Sequence, residues 1–226
     1  MININNVSKH FVLHNQGGII IPVMQNATLS VQAGECIALV GFSGSGKSTL
    51  MRMIYGNYFC QSGEIEIDGL NLMDATPREV ISLRKNKLGY VSQFLRVVPR
   101  VSTRNVVAEP LLALGQPLDH SLAEAEAILA RLNIPKRLWE LSPTTFSGGE
   151  QQRVNIARGF VHKYPAMLLD EPTASLDAEN REVVMCLIEE AKARGAAIIG
   201  IFHDEAARDR LCDHEIDVTA FAPKAA

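Results

Sequence analysis

The chain has 226 residues, enough for one large or two small domains with a hydrophobic core. It is 47% hydrophobic and 21% charged with a net charge of −3, so composition gives it no bulk attraction for nucleic acid or anionic lipid. Four scattered cysteines without a C-x-x-C pair favour reduced thiols. No secretion signal or membrane-spanning stretch is visible, which predicts a soluble cytoplasmic protein without direct membrane insertion.

The first third of the chain is predicted to consist mainly of strands. Ile2 and Ile4 alternate with asparagines, and apolar runs at 19–24, 27–31 and 36–40 are typical of further strands. The later elements predicted here are a helix ending near residue 56, an exposed strand at 63–69, a helix opening at Thr76 with Pro77 in its first position, and a strand at 88–93.

The rest of the chain is predicted to be helical at first and then to alternate. Helical periodicity marks 103–114, 121–132 and 147–161, and beyond Pro165 the order is strand 166–170, helix 178–193, strand 196–202 and helix 204–211. Strands alternating with helices indicate a parallel sheet. We therefore predict one α/β domain over 1–226, with an N-terminal antiparallel part, a core from about 1–93 and 161–226, and a helical insertion at about 94–160.

Residues 41–48 read G-F-S-G-S-G-K-S, a complete P-loop pattern between a predicted strand and a predicted helix. Its glycines let successive N–H groups face phosphate oxygens, and the helix N-terminus adds partial positive charge. Lys47 can reach the β- and γ-phosphates, and the Ser48 hydroxyl can ligate Mg²⁺. The predicted nucleotide-binding residues of this loop are Gly41, Phe42, Ser43, Gly44, Ser45, Gly46, Lys47, Ser48 and Thr49.

Two acids follow the buried apolar strand predicted at 166–170. Such a strand delivers carboxylates to its C-terminal edge, where sites form in open α/β sheets. With the P-loop upstream, we interpret Asp170 as a metal ligand and Glu171 as the general base that activates water. The sequence thus predicts ATP and Mg²⁺ as substrate and cofactor.

A third pattern, at 146–153, reads F-S-G-G-E-Q-Q-R. Ser147 is a good N-cap, and Glu150 three residues later completes a capping box. Gly148 and Gly149 cost helix stability, so they indicate close approach of something else, and an open helix N-terminus is a second anion site. A second phosphate site suggests that two chains enclose the nucleotide.

Together these patterns resemble the ATP-binding cassette ATPase family over nearly the whole chain. Residues 146–151 are similar to the family signature, with Phe146 and Glu150 replacing the usual leucine and glutamine. The resemblance implies that Ser147, Gly148, Gly149 and Glu150 act on the partner's nucleotide. It also implies a loop glutamine and metal ligand at Gln93, a dimer loop at Ser175, Leu176 and Asp177, a γ-phosphate-sensing catalytic histidine at His203, and an adenine-stacking aromatic at Phe11.

Segments 92–102, 131–139, 145–160 and 195–205 further resemble the L-type cassettes of phosphonate carbon–phosphorus lyase systems. That resemblance implies an ATPase subunit that helps soluble partner subunits to form α-D-ribose 1-methylphosphonate 5-triphosphate, as part of a ribose-phosphonate triphosphate synthase. It also implies a second cassette, of K type or the same chain, across the nucleotide. Two alternatives stay open: a transporter subunit of the lipoprotein-release or macrolide-export type, and a nucleotide-gated scaffold with slow hydrolysis.

Overall fold

A computed structural model describes residues 1–223 and arranges them in two sheets with helices packed around them. The strands are β1 (Ile2–Leu13), β2 (Ile19–Val31), β3 (Cys36–Val40), β4 (Ser62–Ile67), β5 (Leu70–Asn71), β6 (Leu88–Val91), β7 (Ala166–Asp170), β8 (Ala197–Ile201) and β9 (His214–Asp217). The α-helices are α1 (Lys47–Ile54), α2 (Pro77–Asn86), α3 (Thr103–Ala113), α4 (Leu118–Arg131), α5 (Gly148–Phe160), α6 (Ala178–Ala193) and α7 (Glu205–Leu211).

The two sheets differ in strand direction and position in the chain. One is antiparallel with order β2-β1-β4-β5, and the other is parallel with order β6-β7-β8-β3-β9. Every residue of β7 and β8 is buried, as expected for central strands of a parallel sheet covered on both faces. The P-loop strand β3 lies between β8 and β9.

The parallel sheet separates two hydrophobic cores. Its side chains alternate between them: Cys36 and Ala38 pack with the helices α3 to α7, whereas Ile37 and Leu39 pack with α1 and the antiparallel sheet. The same alternation recurs along β7 and β8 because strand side chains point to opposite faces in turn. The helical region and the antiparallel sheet therefore cover opposite faces of one wall.

The predicted fold class, α/β with an N-terminal antiparallel part and a helical insertion, is confirmed. The strands at Cys36–Val40 and Ala166–Asp170 and the helix at Ala178–Ala193 have the predicted bounds. Two predicted strands, 19–24 and 27–31, are one continuous strand, because both segments pair with β1. The register is irregular where they join, and Asn26 there has φ 52°. The short strands β5 and β9 were not predicted.

Within residues 1–223, no helix combines the length and apolar character that crossing a membrane requires.

Candidate nucleotide-binding and hydrolysis site

The P-loop joins the end of β3 to the start of α1 and is shaped by its glycines. Gly41, Gly44 and Gly46 have φ values of 138°, 85° and 103°, a region that side chains rarely adopt. A Cβ atom at Gly41 would lie 2.8 Å from the Ser45 hydroxyl oxygen, and one at Gly46 would lie 3.1 Å from Val23. These two positions therefore accept only glycine without local adjustment.

The polar groups of this loop fit an anionic ligand. Lys47 Nζ donates hydrogen bonds to the carbonyl oxygens of Gly41 (2.7 Å) and Phe42 (3.0 Å), which folds the ammonium group back over the loop. The N-cap of α1 is Gly46, so no side chain caps the first N–H groups of that helix. The buried Ser45 hydroxyl has no hydrogen-bond partner among the described residues. A phosphate group would satisfy these donors.

A set of hard oxygen donors adjoins the P-loop. Ser48, Gln93 and Asp170 line one cleft, although they come from α1, the loop after β6, and the end of β7. Asp170 is only 5% exposed and accepts a hydrogen bond from the Tyr90 hydroxyl at 3.3 Å. Burial raises the pKa of its carboxyl group. Hydroxyl, amide and carboxylate oxygens are the donors that Mg²⁺ prefers, so this set fits the predicted metal.

Three of the predicted residues meet beside this cleft. Glu171 accepts hydrogen bonds from His203 Nε2 at 2.7 Å and from Gln93 Nε2 at 3.4 Å. They follow β7, β8 and β6 respectively, which are neighbours in the parallel sheet. Because parallel strands end at the same edge, short side chains from separate segments converge there.

Glu171 has an unusual backbone conformation. Its φ is +56°, which costs a non-glycine residue about 1–3 kcal/mol. Its N–H donates to the Ile201 carbonyl at 3.0 Å, and its own carbonyl accepts from Ala174 N–H at 3.2 Å and Gln152 Nε2 at 3.3 Å. These hydrogen bonds therefore hold the Glu171 backbone in this conformation.

The predicted capping box at the start of α5 is confirmed. Ser147 N–H and its hydroxyl donate to Glu150 Oε2 at 2.9 and 2.7 Å, and Glu150 N–H donates to Ser147 Oγ at 3.4 Å. The hydrogen bonds from Ser147 lower the pKa of Glu150. Gly148 faces open space, whereas a Cβ atom at Gly149 would lie 3.2 Å from the Ser175 carbonyl oxygen.

The predicted dimer loop contains structural contacts of its own. Ser175 has φ +60°, Leu176 is buried, and Asp177 caps α6 by accepting from the Asn180 N–H at 2.8 Å.

The predicted adenine-stacking residue, Phe11, lies on β1. Its ring is nearly perpendicular to that of Tyr58, with 5.4 Å between the ring centroids. Tyr58 in turn lines the cleft that contains Ser48 and Asp170.

Sequence reasoning missed three polar residues that support the site. Tyr90 donates to Asp170, Gln152 contacts the backbone at Glu171, and Asn155 Nδ2 donates to the Ser92 carbonyl at 2.5 Å. Gln152 and Asn155 lie on α5, and polar residues in a helix usually indicate a side that faces solvent. Both side chains are buried instead, and only the tertiary structure shows this.

The fold and this site define a P-loop ATPase of the ATP-binding cassette type. A family profile described as "ABC transporter" matches residues 24–174, which is more than half of the chain, so the chain belongs to this family. Cassettes of this family are ATPases that bind ATP with Mg²⁺ and dimerise across the nucleotide.

Several relatives are named for transport. The chain is 38% identical over 205 residues to the lipoprotein-releasing system ATP-binding protein LolD of Shewanella denitrificans, covering 90% of this chain and 86% of that one. It is 34% identical to the macrolide export ATP-binding/permease protein MacB of Escherichia coli over 86% of this chain, which spans 31% of that longer protein. A solved dimeric cassette, MJ0796 bound to ADP and Pi in a post-hydrolysis state, matches with a TM-score of 0.88 and 28% identity over 97% of this chain and 95% of that chain.

These relatives correct the most specific prediction from sequence. The hypothesis of a carbon–phosphorus lyase subunit with soluble partner subunits is wrong, because the relatives are ATP-binding proteins of lipoprotein-release and export systems. The predicted role in a ribose-phosphonate triphosphate synthase is likewise not supported by these relatives. The segments behind that hypothesis lie within the cassette fold: 92–102 joins β6 to α3, and 195–205 contains β8. They therefore do not identify a separate activity.

Proposed function

We propose that this protein is the ATP-hydrolysing subunit of a membrane system of the lipoprotein-release or macrolide-export type, acting as a pair of cassettes. The relatives named above support the type of system. The observation that carries the hydrolytic part is the contact of Glu171 with His203 and Gln93 at the sheet edge beside the P-loop.

Substrate binding is assigned to the P-loop and the adjoining acids. The loop N–H groups and Lys47 bind the phosphates of ATP, and the Phe11 ring provides a flat face for the adenine. Ser48, Asp170 and Gln93, which line one cleft, would hold Mg²⁺. The bound ion would neutralise charge on the phosphate oxygens. Binding releases Lys47 from the Gly41 and Phe42 carbonyls, so the ammonium group exchanges two neutral acceptors for an anionic one.

Hydrolysis is assigned to the cluster around Glu171. A water molecule aligned with the γ-phosphate gives its proton to the Glu171 carboxylate as its oxygen attacks phosphorus and the bond to the β-phosphate breaks. His203 and Gln93 orient that carboxylate through their hydrogen bonds. Because they come from two further strands, the orientation depends on the alignment of β6, β7 and β8.

The second cassette contributes the start of α5. Gly148 faces open space, so another molecule can approach the N–H groups that follow Ser147. The structural relative is a dimer with ADP and Pi, which supports the same arrangement here, with Ser147–Glu150 of one copy and the P-loop of the other enclosing each ATP. The 175–177 loop adjoins Gly149 and belongs to the same interface. ATP binding then favours a closed pair, and hydrolysis favours opening.

We assign residues 1–226 to one cassette domain whose helical insertion, about 94–160, faces the partner of the system. That partner is an integral membrane permease, which places the cassette at the membrane periphery.

The test is the Glu171→Gln variant with Glu64→Gln, an exposed residue of the antiparallel sheet, as control. We expect Glu171→Gln to lower the turnover number by roughly 10²–10⁴-fold while retaining ATP and the closed pair. Tagged Glu171→Gln protein, purified from cells with ATP, is expected to bring down a permease in stoichiometric amount.

Two results would contradict separate parts of the proposal. Normal turnover of Glu171→Gln would remove Glu171 from its role as base. Co-purification of soluble proteins alone would overturn the transport assignment and leave the ATPase assignment intact.

A further inference from the structure

One face of helix α5 carries two buried amide side chains. Gln152 is 7% exposed and Asn155 is 5% exposed. Residues three positions apart lie on the same side of a helix, so both amides point toward the same neighbours. A buried amide that lost its partners would be costly, which makes the identity of those partners informative.

Gln152 contacts the backbone that carries Glu171. Its Nε2 donates to the carbonyl oxygens of Glu171 at 3.3 Å and Pro172 at 3.5 Å. Since Glu171 has the unfavourable φ of +56°, contacts to its peptide group oppose relaxation to a common conformation. Gln152 therefore acts on the orientation of the Glu171 carboxylate through the backbone.

Asn155 contacts the loop that carries Gln93. Its Nδ2 donates to the Ser92 carbonyl at 2.5 Å, and the Ser92 hydroxyl donates to the Phe94 carbonyl at 2.9 Å. Gln93 lies between these two residues and donates to Glu171 Oε2 at 3.4 Å. The contacts close a ring: α5 to Glu171 through Gln152, Glu171 to Gln93, and the Gln93 loop back to α5 through Asn155.

We propose that Gln152 and Asn155 are positioning residues that set the geometry of Glu171 and Gln93 for hydrolysis. The inference rests on the proposed role of Glu171 as base.

The hydrogen-bond partners of Gln152 and Asn155 determine which substitutions test the proposal. All three partners of these amides are carbonyl oxygens, so each side chain must present its NH₂ group. Gln152→Glu and Asn155→Asp keep size and shape but replace a donor with a carboxylate oxygen. If the two side chains only fill space, these variants should remain active because they keep the shape. If the side chains position the site, the variants should lose activity because they lack the donor.

The experiment is steady-state ATPase kinetics of the full chain with Mg-ATP. We expect Gln152→Glu and Asn155→Asp each to lower kcat about tenfold, the effect of one lost hydrogen bond, with KM for ATP changed less than about twofold. The control is Thr103→Val, which removes a buried hydroxyl donating to the Leu141 carbonyl at 2.8 Å within the same helical region. We expect its kcat to be unchanged.

A double-mutant cycle supplies a readout that a merely structural role would not move. Gln152 acts on Glu171 directly and Asn155 acts on it through Gln93, so the double variant is expected to lose less than the product of the single losses. In a Glu171→Gln background, Asn155→Asp is expected to leave the residual rate unchanged. Asn155→Ala and Gln152→Ala remove the donors without adding charge, and they replace the acidic variants if melting curves show that those do not fold.

Wild-type kcat in the amide variants, or a raised KM at constant kcat, would overturn the inference. So would a multiplicative double variant. If Glu171→Gln abolishes turnover while the amide variants retain it, only this inference fails. If Glu171→Gln turns over normally, the proposed function fails instead.

Discussion

The P-loop and the turn that opens α5 are both glycine-rich and both precede a helix, but their glycines serve different ends. In the P-loop, Gly41 and Gly46 have positive φ values, and a Cβ atom there would meet neighbouring side chains. At the other turn, Gly148 and Gly149 belong to the helix itself, and Gly148 has open space around its Cα.

The comparison separates a loop whose glycines are explained by contacts within the chain from a turn that we propose lies at the interface between two cassettes. The P-loop glycines are required for the chain to fold as it does. Gly148, the first residue of α5, has a lower helix propensity than alanine, and no contact among the described residues requires a glycine there. The open space at Gly148 is consistent with the proposed approach of a second cassette.

Among the changes that test this comparison, the largest expected effect comes from removal of the P-loop cation. Lys47→Ala should reduce ATP affinity on the order of 100-fold, since charge-assisted contacts to the phosphates are lost. Isothermal titration calorimetry checks this, with the exposed Lys85→Ala on α2 as control. Unchanged affinity would mean that the P-loop does not bind the phosphates.

Alanine at the two kinds of glycine should have opposite effects on stability. Gly46→Ala is strained at φ 103° and should lower the free energy of unfolding by at least 1 kcal/mol. Gly148→Ala should raise it slightly, by at most about 0.5 kcal/mol because this residue is the first of its helix, while weakening ATP-dependent dimerisation of the Glu171→Gln protein. Chemical denaturation and size-exclusion chromatography measure the two quantities. A Gly148→Ala protein that dimerises normally would contradict the role of this turn.

Two similar helix caps, at α2 and α5, allow the stability of a cap to be separated from a role in dimerisation. Thr76 and Glu79 form a capping box at α2 with the same three hydrogen bonds that Ser147 and Glu150 form at α5. Thr76→Ala and Ser147→Ala should each cost about 1 kcal/mol of stability, but only Ser147→Ala should also weaken ATP-dependent dimerisation. Equal dimerisation of the two variants would indicate that Ser147 is a cap and nothing more.

The smallest expected effect is a pH dependence at Glu150. The Ser147 hydrogen bonds lower its pKa below the ordinary value of about 4.5, so the folded state favours the charged form. This stabilisation is present above that ordinary value and is lost as pH falls through the folded pKa. The difference in melting temperature between wild type and Glu150→Gln should therefore shrink as pH falls below about 4.5. A difference that does not change with pH would contradict a contribution from the Glu150 charge.

Local sequence patterns predicted most of the fold and the principal motifs. A buried strand followed by two acids predicted β7, and Thr76 followed by Pro77 predicted the start of α2, because these signals act within a few residues. The sequence did not predict β9, since the polar run H-E-I-D becomes a strand only by pairing with β3. Contacts from Gln152 and Asn155 were likewise invisible, because their partners lie 19 to 63 residues away.

The alternation of β3, β7 and β8 between two cores bears on how the molecule unfolds. Neighbouring residues such as Ile198 and Ile199 serve different cores through one backbone, so neither core can melt without disturbing the strands that the other requires. Thermal unfolding should therefore be cooperative across both faces of the sheet, and a cavity made at either isoleucine should lower the same single transition.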